Sequence, residues 1–91
     1  MQIKNQSDIN VSWFCFNQKD AVKLIALASG DLKPGEAFDY TPPKNSNQLY
    51  FVRFTYQGGG TALAGATAKR TGQMISITGK SDAYNASVST N

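Results

Sequence analysis

The chain has 91 residues and a formal net charge of +3, which allows one domain with a small core and leaves no room for a two-domain enzyme. Histidine is absent and cysteine occurs once, as Cys15. A Ser-His-Asp or Cys-His catalytic arrangement and an intramolecular disulfide are therefore excluded, and a zinc site would have to be built from one thiolate and carboxylates. Charged residues make up only 16% of the chain, whereas Asn, Gln, Ser and Thr supply 28 of the 91, so neutral polar groups form most of the hydrophilic surface.

Strand patterns dominate from the start. Gln2 to Asn5 reads as a short strand. Asn10 to Asn17 alternates with a period of two, placing Val11, Trp13 and Cys15 on one side and Ser12, Phe14 and Phe16 on the other, with both sides open to burial. Ala21 to Ser29 fits two patterns. Asp20 and Gly30 are suited to capping a helix, but alternation and the surrounding strands favour a strand that follows Asn17-Gln18-Lys19-Asp20 as a hairpin. Leu32-Lys33-Pro34-Gly35-Glu36 is then a turn with proline second and glycine third, leading into a strand at Ala37 to Thr41.

Pro42-Pro43 and the polar run to Asn47 read as a loop within one domain, since neither side could hold its own core. The next strand, Leu49 to Tyr56, sets Tyr50, Val52, Phe54 and Tyr56 on one face and Leu49, Phe51, Arg53 and Thr55 on the other. Gly58-Gly59-Gly60 reads as a hairpin loop, followed by strands at Thr61 to Ala68, Gln73 to Thr78 and Tyr84 to Val88. The expected fold is all-β, a single domain over residues 1–91, built as an antiparallel β-sandwich or flattened barrel of about seven short strands. Its expected core is Ile3, Val11, Trp13, Cys15, Leu24, Val52, Phe54, Ile75 and Ile77. No stretch approaches the ~20 apolar residues of a membrane span and no secretory signal pattern opens the chain, so a soluble protein is expected.

Little points to catalysis. The six carboxylates fall mostly at expected turns, and Gly79-Lys80-Ser81 lacks the glycine of a phosphate-binding loop, since Met74 stands in its place. No enzyme activity, cofactor or metal is expected, and Cys15 reads as a small buried hydrophobe. Charge distribution is more telling. Between Tyr40 and Ser81 there is no acid at all, while Arg53, Lys69, Arg70 and Lys80 lie in the second half. A basic, aromatic half of this kind suits phosphates, anionic lipid headgroups or acidic sugars. Tyrosines beside many amides and hydroxyls suit the apolar faces and hydroxyl rims of sugars.

The expected ligand-binding residues are Tyr50, Tyr56, Tyr84, Arg53, Arg70 and Lys80. The expected function is lectin-like, a non-catalytic protein recognising a glycan or cell surface. A toxin-like module binding anionic lipid, or a protein-interaction module, is the alternative. Nucleic acid is disfavoured because a charge of +3 is thin for tracking a polyanion. A core without disulfide or metal also points to a homo-oligomer, with Ala62, Leu63, Ala64 and Ala66 as candidate contacts.

The opening order resembles the layout of small extracellular β-sandwiches such as lipid-binding cytolysins and lectins. It comprises a strand ending in Asn5-Gln6-Ser7, a strand through Trp13, the turn at Leu32-Lys33-Pro34-Gly35-Glu36 and a further strand. The shared elements are turn signals in about the first 41 residues, and no ligand-binding motif carries over.

Overall fold

The computed structural model describes residues 1–18, 24–41, 49–68, 72–80 and 83–90. They form eight strands: β1 (Gln2–Ser7), β2 (Val11–Gln18), β3 (Leu24–Leu32), β4 (Ala37–Asp39), β5 (Leu49–Tyr56), β6 (Ala62–Ala68), β7 (Gln73–Lys80) and β8 (Ala83–Thr90). Two four-stranded sheets result, ordered β4-β1-β7-β8 and β3-β2-β5-β6. The sheets pack as a β-sandwich-like fold and do not close into a barrel. Within the described part of Ala21 to Ser29 the chain is strand, because β3 pairs antiparallel with β2 from Val11 opposite Leu32 to Gln18 opposite Leu24. Residues 19–23 and 42–48, with the turn and loop expected there, lie outside the described residues.

The inner faces follow the alternation. Val11, Trp13, Cys15, Val52 and Phe54 from one sheet meet Ile3, Ile75 and Ile77 from the other, and Leu32, Tyr50 and Ala68 complete the buried cluster. The side chain of Leu24, expected in the core, lies outside the described residues. Trp13 settles flat over Gly30, where a β-carbon would stand 2.8 Å from the indole nitrogen. Phe38 and Tyr40 flank its ring at centroid distances of 5.5 and 6.1 Å.

One pairing departs from a purely antiparallel arrangement, since β1 runs parallel to β7 from Gln2 opposite Met74 to Ser7 opposite Gly79. The reason is topological. β1 passes to β2 in the other sheet and β3 passes to β4 in the first, so β1 is left with one side for β4 and the other for a strand much later in the chain.

Asn5 ties both of these crossings. Its amide nitrogen donates to the carbonyls of Ile9, at 2.8 Å, and Leu32, at 3.0 Å, and its side-chain oxygen accepts from the backbone N–H of Ser7 at 2.9 Å. Its own backbone N–H donates to the carbonyl of Glu36 and its carbonyl accepts from Gly35. Lys33-Pro34-Gly35-Glu36 is the turn read from the sequence. Glu36 N–H closes onto the Lys33 carbonyl at 3.0 Å, and Gly35 at φ 88° takes the position that a type II turn reserves for glycine.

Candidate functional site

Of the six residues singled out in the sequence, the five that are described do not converge. Tyr50 is a correction: it is 2% exposed, lies on the core side of β5 opposite Asn17 and Ala68, and so offers no ring to a ligand. Tyr56 is 37% exposed at the far end of the same strand, opposite Val11. Tyr84 and Lys80 stand at the β7–β8 end of the other sheet, where the Tyr84 hydroxyl donates to Asp8 Oδ1 at 2.8 Å. Arg70 lies outside the described residues. Arg53 alone among the described five projects from the outer face of the β3-β2-β5-β6 sheet.

There Arg53 meets residues that the sequence reading had left without a role. In register, Phe14 stands opposite Arg53 and Phe16 opposite Phe51. The Arg53 guanidinium carbon lies 5.3 Å from the Phe16 ring centroid, within the range in which a cation is attracted to an aromatic face. The Phe16 and Phe51 rings are 6.4 Å apart and inclined by 33°. Phe51 leans across β6 above Gly65, where a β-carbon would stand 2.6 Å from its Cζ. The missing side chain on β6 is what gives that ring its place.

These three phenylalanines are half-buried, and none belongs to the core cluster or packs against it. Their neighbours on this face are small or polar: exposed Ala26 beside Phe16, exposed Ser29 beside Phe14, and exposed Thr67 beside Phe51. Leu49, 36% exposed, follows at the end of β5. Toward the opposite end of the sheet the face turns polar, and the Ser12 hydroxyl donates to Asp31 Oδ1 across β2 and β3 at 2.6 Å. The result, among the described residues, is an aromatic surface with one cation set into it, carried on paired strands.

The alternation already separated Phe14, Phe16, Phe51 and Arg53 from the core residues. What it lacked was the register that brings the four together. The outer face of the other sheet is different in kind, with Gln2, Lys4 and Gln6 of β1 beside Ser76 and Thr78 of β7 and Asn85 and Ser87 of β8.

Cys15 sits under this sheet on the core side, fully buried, and burial pushes its thiol up to about 11. A thiol that stays protonated at neutral pH is a poor nucleophile. Among the described residues, no helix is long and apolar enough to cross a membrane. Comparison with known protein families, curated proteins and solved structures returns no match to this chain, so its class rests on its own geometry: a small β-sandwich-like domain with one aromatic outer face.

Proposed function

We propose that this protein is a non-catalytic, lectin-like binding module whose outer β3-β2-β5-β6 face recognises acidic sugars on a cell surface. The observation that carries the reading is the Arg53 guanidinium 5.3 Å from the Phe16 ring, with Phe51 beside it. Aromatic faces accept the apolar faces of sugar rings. A guanidinium offers a planar pair of donors that matches a carboxylate or sulfate. The core is already filled from the inner faces, so these rings are not needed to complete it, and contiguous apolar groups on an outer face mark interaction sites. The tyrosine platform gives way to a phenylalanine one, and the charge that the tyrosines lacked is supplied by Arg53.

An array of neutral and acidic oligosaccharides tests this directly. Acidic members are expected to bind, with affinity falling roughly tenfold in Phe16→Ala and Arg53→Ala, an effect of the size of one desolvated cation–aromatic or charged contact. Binding should weaken with added salt. An array blank for acidic members, or binding indifferent to both substitutions, overturns the reading. Exposed Leu49, two residues from Phe51 on the same face of β5, favours one second reading, anionic lipid. Vesicles containing an anionic lipid, run in parallel, would then bind where the array does not and lose binding in Phe16→Ala.

A further inference from the structure

Among the described residues, four strands end the two sheets, and three of them carry a feature that discourages pairing with another chain. β4 is three residues long and includes Asp39. β3 contains Asp31 and is offset by a bulge against β2. β6 is uncharged but shifts register against β5 between Phe54 and Thr55. β8 has none of these devices. It runs eight residues, Ala83-Tyr84-Asn85-Ala86-Ser87-Val88-Ser89-Thr90, without charge or proline, and pairs with β7 in an unbroken ladder from Gln73 opposite Thr90 to Lys80 opposite Ala83. A straight, uncharged, full-length edge presents a row of backbone donors and acceptors that another strand can complete.

We propose that β8 pairs antiparallel with β8 of a second copy of this chain, about a two-fold axis at Ala86. Parity narrows the registers, and side-chain size selects among them. Tyr84, Ala86 and Val88 are the half-buried inward positions and Asn85, Ser87 and Ser89 the exposed outward ones. Residues opposite each other in a sheet project from the same face, so only registers joining even positions to even positions keep both cores on one side. Centring on Ala86 puts the smallest inward side chain at the axis and Tyr84 opposite the partner's Val88, an aromatic and branched pair of the favourable kind. Outward, Asn85 meets the partner's Ser87, and no like charges face each other. A second copy fits the edge because the edge is complementary to itself, as an isologous contact requires.

The two-fold axis relating antiparallel neighbours in one sheet stands perpendicular to that sheet. Both β3-β2-β5-β6 sheets therefore lie on the same side of the joined eight-stranded sheet, and both aromatic faces point the same way. β6 packs along the same side of each sandwich as β8, so the two uncharged β6 strands also approach each other across the axis. Two binding faces directed at one surface raise avidity by about 10²–10⁴ over a single site when both engage. That gain rests on the ligand reading above, but the pairing does not.

Sedimentation velocity without any ligand, from micromolar to sub-millimolar protein, tests the pairing alone. The chain should pass from its 9.8 kDa monomer to twice that mass. The double variant Asn85→Lys, Ser87→Lys sets lysines opposite each other across the axis and should weaken association roughly tenfold or more. The corresponding double glutamate variant should do the same. An equimolar mixture of the two should recover a dimer. Ala86→Cys should give a disulfide-linked dimer under mild oxidation, since opposed residues in an antiparallel pair lie within disulfide reach. A monomer throughout the concentration range overturns the proposal, as does a lysine variant that dimerises like the parent chain or an Ala86→Cys chain that stays monomeric on oxidation. Arg53→Ala should leave the dimer intact, which separates this result from failure of the ligand reading.

Discussion

Two buried side chains show how single residues set the limits of this fold. Asn5 is fully buried yet satisfied through Ile9, Leu32 and Ser7. Replacing it by alanine removes both amide donations, leaving the Ile9 carbonyl with only the Ser7 hydroxyl at 3.2 Å, and takes the side-chain acceptor from the Ser7 N–H; a buried polar group left unpaired costs about 1–3 kcal/mol. Asn5→Ala should lower stability by about 3 kcal/mol, seen as a lower urea midpoint with little change in slope. Cys15 governs the alkaline limit. Burial raises its thiol from an ordinary value of 9.0 to about 11. The unfolded chain therefore releases its proton first as pH rises, and the folded chain loses stability between those two values. The contribution is fully present below the lower value, and its loss amounts to about 3 kcal/mol. Burial raises Tyr40 in the same direction. Denaturant titrations across this window should show the decline, and Cys15→Ala should make it shallower.

At the scale of strands, what could be read in advance was whatever alternation and turn chemistry encode locally. Val11, Trp13 and Cys15 announced a core face because branched and aromatic residues recur there with a period of two. Lys33-Pro34-Gly35-Glu36 announced its turn through proline and glycine in fixed positions. Tyr50 obeyed the same alternation as Val52 and Phe54, yet its hydroxyl drew attention toward the surface. Its backbone position decided the matter, and the ring is in the core. Register between distant strands has no local signature, so neither the Phe14–Arg53 and Phe16–Phe51 pairings nor the parallel β1–β7 ladder could be derived before the fold was seen. Gly79 shows a constraint of the same hidden kind. Its φ of 120° is closed to residues with a β-carbon, and such an atom would run into the carbonyl oxygen of Ala83. Gly79→Ala should cost at least about 2 kcal/mol, measurable as a drop in the thermal midpoint. A milder effect is expected of Gly65→Ala, which should displace the Phe51 ring and reduce ligand affinity without unfolding the sheet, a split that paired melting and binding measurements would reveal.

Over the whole molecule, the proposed assembly and recognition roles fall on different sheets. The sheet β4-β1-β7-β8 has a polar outer face that includes Lys4 and Asp39 and the regular β8 edge, while β3-β2-β5-β6 carries the aromatic face with Arg53. Because the surfaces proposed for assembly and recognition are separate, substitutions in one should leave the other measurable, and Asn85→Lys with Ser87→Lys should bind single soluble sugars as the parent chain does but a multivalent surface more weakly than the parent. The placement of β1 between β4 and β7 has a temporal consequence as well. Synthesis proceeds from the amino end, so β2, β3, β5 and β6 can all pair before β7 has been made, whereas β1 must wait for a strand some 70 residues downstream. A chain that has emerged as far as Ala68 would carry one finished sheet whose inner face, with Trp13, Val52 and Phe54, is covered only by β1 and β4 and lacks Ile75 and Ile77 of β7. Such closure across long sequence separation is slow, and the interval exposes the most apolar surface the protein possesses. Chaperone occupancy on nascent chains of increasing length should rise as β5 emerges and fall only once β7 clears the exit tunnel.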